Sequence, residues 1–238
     1  MKRCILTMPT YGPVEPEVVK SVMDAVMFAA SFGVRWAGQV STDRESWSSA
    51  RNRPAEAVRN RDEVDGIIWV DSDMLVPQDA FARLAAHDLD LVSALYFQRQ
   101  PPYWPNIFKY SDERKKFIRL KEWPENTVAP TGGFGFGCCY TSTRLLRALP
   151  EKPFGFGEFS EDLGLCRMAT LAGFQPHVDT GIECGHYEKP SWSSRKKFDR
   201  WKRVLLKGDQ IDGGDYGLVH DVGKADLRGV PANASESA

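Results

Sequence analysis

The sequence predicts an α/β fold of three layers, helix on sheet on helix, with a mostly parallel central sheet and a mixed or antiparallel C-terminal extension. Three observations carry this. Short apolar runs alternate with helical patterns through about the first hundred residues. The run "GIIWV" reads as a strand buried on both faces. After "QRQPPYWP" the pattern breaks into shorter β-like runs separated by turn residues.

The elements follow in order. "CILTMP" is an apolar run that stops at Pro9, and "PEPEVVKSVMDAVMFAASFG" places Val18, Val22, Val26 and Ala29 at helical spacing before a glycine stop. "VRWAGQV" reads as a second strand. "SSARNRPAEAVRNRDEV" reads as a polar helix interrupted near Pro54, because proline lacks the N–H a helix interior needs. "GIIWVD" is the third strand, "PQDAFARLAAHD" a helix and "LDLVSALYF" a fourth strand. This alternation predicts βαβ units with right-handed crossovers, whose ligands bind at the carboxyl ends of the strands. "NIFKY", "KKFIRL" and "GCCYT" are β-like runs expected to extend the sheet; a helix from about Ser160 to Ala172, a strand near "QPHVDT" and the basic helix "SWSSRKKFDRWKRVLL" complete the body. "FGFG" occurs twice, at Phe134–Gly137 and Phe154–Gly157, and both copies read as loops bordering a cleft.

The organisation expected is one domain over 1–207 and a polar tail over 208–238, whose last ten or so residues, "GVPANASESA", have no periodicity and are expected to be disordered. A hydrophobic share of 42% and a charged share of 26% fit an ordinary globular protein. The net charge of −1 gives no global attraction to nucleic acid or anionic membrane. "MKRCILTMPTYG" is too short for a signal or a membrane span, so no integral membrane segment and a cytoplasmic location, in a bacterium or phage-infected cell, are expected. The five cysteines are odd in number and lack CxxC spacing, which argues against a disulfide framework or structural zinc.

The chemistry concentrates in "DGIIWVDSDMLVP". Asp71 and Asp73, with Ser72 between them, end a buried strand where a parallel sheet presents ligands. Two carboxylates there repel unless a cation neutralises them, and hard oxygen ligands suit Mg2+ or Mn2+. Such a metal bridges phosphate oxygens and stabilises a departing diphosphate, the leaving group of a nucleotide-sugar. The competing reading is a plain turn after a strand. Asp88-Leu89-Asp90 repeats the letters between a helix and a strand, where capping or turn roles suffice.

At these residues the sequence resembles the GT-A-fold glycosyltransferases, particularly compact phage- or bacterium-encoded enzymes similar to the large inverting family 2. The resemblance rests on "MPTYG", "SSARN", "WVDSDM", "TGGFGFG", "SEDLGLCRMATLAGF" and "ECGH", over about residues 5 to 190. It implies metal-dependent sugar transfer from a nucleoside-diphosphate donor, read as UDP-linked, to a hydroxyl acceptor; the sequence leaves open whether that is a polysaccharide, a protein, a lipid carrier or modified DNA. It further implies Pro9, Thr10 and Tyr11 near the nucleoside, Arg51 and Asn52 on the nucleotide side, Asp71, Ser72 and Asp73 at the diphosphate, and His186 as a metal ligand beside Asp71 and Asp73. Asp162 would be the general base of an inverting displacement, with Glu161 the fallback.

Other readings stand beside these. Glu161 and Asp162 also suit a helix N-terminus with Ser160 as cap, and Arg51 also suits an exposed helix face. "TGGFGFG" is not a dinucleotide fingerprint, since it lies late and leads into β structure; Gly132 and Gly133 would let backbone approach donor or acceptor, or belong to a hairpin. His177 is read as structural. In the basic C-terminal helix Phe198 and Trp201 would dock on the body while the charges face water, a diphosphate lid or an anionic acceptor. The rival enzyme is a haloacid-dehalogenase-like phosphatase with Asp71 as nucleophile; the rival without chemistry is a nucleotide-sugar-binding protein.

Overall fold

The computed structural model describes residues 1–43, 45–155, 157–188 and 191–205; the expected tail lies outside the described residues. In chain order the elements are β1 (Arg3–Thr10), α1 (Pro16–Ser31), β2 (Arg35–Asp43), α2 (Trp47–Arg59), β3 (Gly66–Val70), β4 (Met74–Leu75), α3 (Ala80–Ala86) and β5 (Leu91–Tyr96). There follow β6 (Ile107–Ser111), β7 (Lys116–Arg119), β8 (Val128–Pro130), β9 (Gly133–Phe134), β10 (Cys138–Ser142), α4 (Thr143–Ala148), α5 (Glu161–Leu171), β11 (His177–Glu188), β12 (Ser191–Ser193) and α6 (Arg195–Leu205).

The central sheet has the order β12-β11-β5-β10-β3-β1-β2, with β4 and β8 pairing to β11. β1 runs parallel to β2 and β3, and β5 parallel to β11. β10 is antiparallel to both its neighbours, β3 and β5. The three-layer, mostly parallel expectation is met, and β3 shows why. Its alternate residues serve two cores: Ile67 and Trp69 pack with α2, α4 and α5, while Ile68 and Val70 pack with α1 and α3.

Four local expectations need correction. The antiparallel strand is not peripheral, because all five residues of "CCYTS" are buried in mid-sheet. Its polar groups are matched there: Trp69 Nε1 donates to Thr141 Oγ1, Tyr140 Oη donates to the Asp65 carbonyl at 3.1 Å, and Ser93 Oγ donates to the Cys138 carbonyl at 3.1 Å. β6 and β7 do not extend the main sheet but form a separate one with β9, in the order β7-β6-β9. α2 runs through Pro54 without interruption. Proline cannot donate to the Ala50 carbonyl four residues earlier, and the buried Thr42 hydroxyl approaches that oxygen at 3.5 Å in its place. "SWS", expected as helix, is β12, and the basic helix begins at Arg195.

The two "FGFG" copies meet rather than border the cleft separately. Phe136 and Phe154 lie 5.3 Å apart between ring centres, and each packs on Trp69, at 5.9 Å and 5.3 Å. The five cysteines are buried and free.

Candidate active site

β3 delivers Asp71 and Asp73 at its carboxyl end, in the turn before β4. Asp71 N–H donates to the Gly137 carbonyl at 2.8 Å, and the Asp73 carbonyl accepts from Tyr187 N–H at 2.8 Å. The turn is thereby tied to the loop before β10 and to β11. Asp88 and Asp90 stand apart from this turn and bond across the sheet rather than as local caps: Asp88 pairs with Lys2 at 2.9 Å, and Asp90 accepts from Ser142 Oγ at 2.5 Å.

The carboxylates divide between two cations. α2 starts at a Ser46 cap that accepts from Ser49 N–H at 3.2 Å, and its buried face includes Arg51, whose side chain is 2% exposed. Arg51 Nη2 lies 3.1 Å from Asp71 Oδ1, and Nη1 lies 3.3 Å from Glu161 Oε1 and 3.2 Å from Asp162 Oδ1. Its guanidinium also faces the Phe136 ring at 5.5 Å and the Trp47 ring at 5.8 Å. Arg51 is therefore an internal counter-ion, and the exposed-helix reading is wrong. Periodicity could have found this, since Arg51 shares a helix face with Ala55 and Val58.

α5 supplies the acids. Ser160 occupies the N-cap position but makes no side-chain cap bond, so capping does not account for Glu161 and Asp162. Both are instead drawn to Arg51. Asp162 Oδ2 accepts from Phe136 N–H at 3.1 Å, whereas its buried Oδ1, off the Arg51 donor direction, has no hydrogen bond. Burial raises the Asp162 pKa, with Asp71 adding to the rise against the lowering pull of Arg51. Burial likewise raises Asp71 and Glu161, each against Arg51. The three carboxylates in return hold Arg51 protonated despite the cost of its burial.

Asp73 belongs to the second group. Its Oδ2 lies 3.3 Å from His186 Nε2 and 3.1 Å from Arg99 Nη1. Burial works to raise its pKa, but the His186 hydrogen bond and the His186 and Arg99 charges outweigh it and hold Asp73 low. His186 Nδ1 stands 2.8 Å from the Phe97 carbonyl, an acceptor, so that nitrogen carries a proton. Nε2 meets the Asp73 carboxylate at 3.3 Å, either as a proton donor to it or as its fellow ligand to a cation between them.

Among the described residues no group of three His, Cys, Asp or Glu side chains is arranged to hold a metal. The expected trio is split, because Asp71 turns to Arg51 while Asp73 and His186 face each other. A two-residue donor set still fits a hard divalent cation whose other ligands are water and diphosphate oxygens, the manner in which Mg2+ is commonly held beside phosphates. The chemistry of Asp73 and His186 fits such an ion.

The remaining expected residues lie as follows. Thr10 Oγ1 donates to the Thr42 carbonyl at 3.0 Å, Pro9 is buried in β1, and Tyr11 is exposed beyond the strand end. Ser72 sits half-buried between the aspartates. Asn52 exchanges two hydrogen bonds with the Phe154 backbone, at 2.7 Å and 3.0 Å, and so fixes the second "FGFG" loop. Gly132 lines a cleft of about 400 Å³ with Tyr110, Arg167 and Gln175. A Cβ there would come within 2.3 Å of Tyr110 N, and one at Gly133 within 2.9 Å of the Phe117 ring. Both glycines are accounted for by packing against the β6–β7 hairpin. His177 bonds to the Gln175 carbonyl at 2.9 Å, apart from these groups. Sequence reasoning missed Arg99 and Tyr96. Tyr96 Oη accepts from Gly137 N–H at 3.2 Å, and burial, with Asp162 and Asp71 nearby, raises its pKa well above the ordinary phenol range.

No protein-family model and no curated protein matches this chain. Among solved structures, A197 from STIV aligns over 78% of this chain and 85% of its own, at 14% identity and a TM-score of 0.52. GalNAc-T7 with UDP, GalNAc and Mn2+ aligns over 86% of this chain at 11% identity and a TM-score of 0.49; the alignment spans 48% of that protein. UDP-glucose pyrophosphorylase complexed with UDP-glucose aligns over 87% of this chain and 99% of its own, at 10% identity and a TM-score of 0.49. The first likeness concerns the fold alone, an α/β arrangement, and the other two add nothing to it. Among the described residues no helix is long and apolar enough to cross a membrane.

Proposed function

We propose that this protein is a metal-dependent glycosyltransferase that moves a sugar from a nucleoside-diphosphate donor, UDP-linked in the first instance, to a hydroxyl acceptor with inversion. The observation that carries the reading is the division of the carboxylates at the end of β3. Asp73 stands beside His186 and the exposed Arg99, side chains that suit a cation and a diphosphate, while Asp162, on a different element, lies beside the same turn and is paired with Arg51. Mn2+ or Mg2+, when bound by Asp73 and His186, supplies the positive charge that offsets the departing diphosphate.

The chain's own residues do the rest. Asp162 takes the proton of the acceptor hydroxyl, a role that its burial-raised basicity favours. The freed electron pair forms the bond to the anomeric carbon on the face opposite the leaving group. The carbon–oxygen bond to the diphosphate breaks, and the nucleoside diphosphate leaves with that pair. Phe136 N–H holds Asp162 Oδ2, and Arg51 keeps Asp162 and Asp71 from repelling each other in the empty cleft. Glu161, whose Oε1 accepts from Arg51, is the fallback base.

A panel of nucleotide sugars, with and without Mn2+, tests this by donor hydrolysis and thermal stabilisation. In the Asp162→Asn variant transfer should fall by roughly 10²- to 10⁴-fold while donor binding stays within a factor of two or so. No metal-dependent stabilisation by any donor, or full transfer by the variant, would overturn the reading.

A further inference from the structure

Arg99 lies at the tip of a tight loop that follows β5. Gln98 N–H donates to the Trp104 carbonyl at 2.9 Å, Tyr103 N–H to the Gln100 carbonyl at 2.9 Å, and Phe97 bridges to Pro105, so both stems of the loop are fixed. Phe97 also anchors the loop from below, stacking on Phe198 of α6 at 5.5 Å, while its carbonyl accepts from His186 Nδ1. One loop therefore aims the imidazole and carries a guanidinium to the same carboxylate. Arg99 Nη1 reaches Asp73 Oδ2 at 3.1 Å with a side chain 56% exposed. Arg51, 2% exposed and surrounded by protein groups, has no comparable freedom.

These facts set a competition. Any divalent cation taken up by Asp73 and His186 meets the Arg99 charge already at Asp73 Oδ2, and like charges at that distance repel. The guanidinium must turn away. Its stem is long and half in water, and its planar fork of donors suits phosphate oxygens, which arrive with the cation.

We propose that Arg99 is a diphosphate-binding residue that pairs with Asp73 in the empty cleft and transfers to the phosphate oxygens of the donor when a divalent cation takes its place. This rests on the reading of the cleft as a nucleoside-diphosphate site. The exchange keeps Asp73 neutralised in both states and makes metal and diphosphate binding mutually supportive, since the metal frees the guanidinium that the diphosphate needs.

The test measures two affinities in wild type, Arg99→Gln, Arg99→Lys and Asp73→Asn. Mn2+ binding is read from the electron paramagnetic resonance of the free ion, and manganese pyrophosphate, added as the preformed complex, is titrated by calorimetry. Removing an exposed competing charge in Arg99→Gln should tighten Mn2+ alone by about 3- to 5-fold. The same change should weaken manganese pyrophosphate by roughly 10-fold or more. Arg99→Lys, which keeps the charge without the fork, should hold Mn2+ affinity at the wild-type level and recover part of the pyrophosphate affinity. If Arg99→Gln leaves both affinities unchanged, or weakens Mn2+, while Asp73→Asn abolishes binding, the role of Arg99 is refuted and the cleft reading stands. If wild type binds neither probe, both fall.

Discussion

Replacing Arg51 by Met tests the organisation of the cleft most directly. Methionine keeps much of the apolar stem against Phe136 and Trp47 and removes the charge that three carboxylates share. Taking one partner from a buried ion pair costs about 3–5 kcal/mol, because the remaining charge is stranded. The side chains of Asp71, Glu161 and Asp162 are 19%, 11% and 19% exposed, so water relieves part of the repulsion. The lower end, about 3 kcal/mol near neutral pH, is expected, and for a domain of this size that is a fall in Tm of roughly 6–12 °C.

The loss should depend on pH with a definite sign. Burial already raises the folded-state pKa of all three acids, and Arg51 is what lowers them. Without it they rise further above their unfolded values near 4. For such groups the folded state binds more protons than the unfolded state, so stability falls as pH rises through the window between the two pKa values. Urea unfolding followed by tryptophan fluorescence should show a small deficit at pH about 4.5 and the full one at pH about 7.5. An equal deficit at both pH values, or one below about 1 kcal/mol at the higher, would refute the shared counter-ion.

Two further substitutions check the frame around the cleft. Gly135→Ala would place a Cβ 2.1 Å from Tyr96 Oη; a loss of about 1–3 kcal/mol is expected, partly recovered by adding Tyr96→Phe, and unfolding that shows no loss contradicts the close approach. Thr42→Val removes the hydroxyl that approaches the Ala50 carbonyl. It should cost about 0.5–1 kcal/mol, and less when Pro54→Ala restores a backbone donor; equal costs in both backgrounds would show that Thr42 does not serve that carbonyl.

Apart from the two-residue β4, the order of strands and helices to residue 96 was legible because each element there carries its own period and stop signal, from the valines of α1 to the glycine after it. β10 was read as β, but its place in mid-sheet was not legible, because "CCYTS" looks half-polar until Trp69, Asp65 and Ser93 are seen to satisfy its polar groups. Pro54 misled for a related reason: the cost of a helix proline depends on whether another donor reaches the stranded carbonyl, and Thr42 comes from a different strand. That Asp71 and Asp73 stand at a buried strand's end while Asp88 and Asp90 do not was legible from position alone, since an apolar strand leads into the first pair only.

The sequence by itself determined the α/β class, the strand end that bears the carboxylates, and the acidic start of α5, all features encoded by residues close to one another in the chain. Only the tertiary structure decided which cation each carboxylate meets. Arg51 lies 110 residues from Glu161 and His186 lies 113 from Asp73. Electrostatic partnership acts over a few ångströms and is blind to sequence separation, so the split between Asp71 with Arg51 and Asp73 with His186 and Arg99 emerged only once β3, β5, α5 and β11 had been brought to one edge.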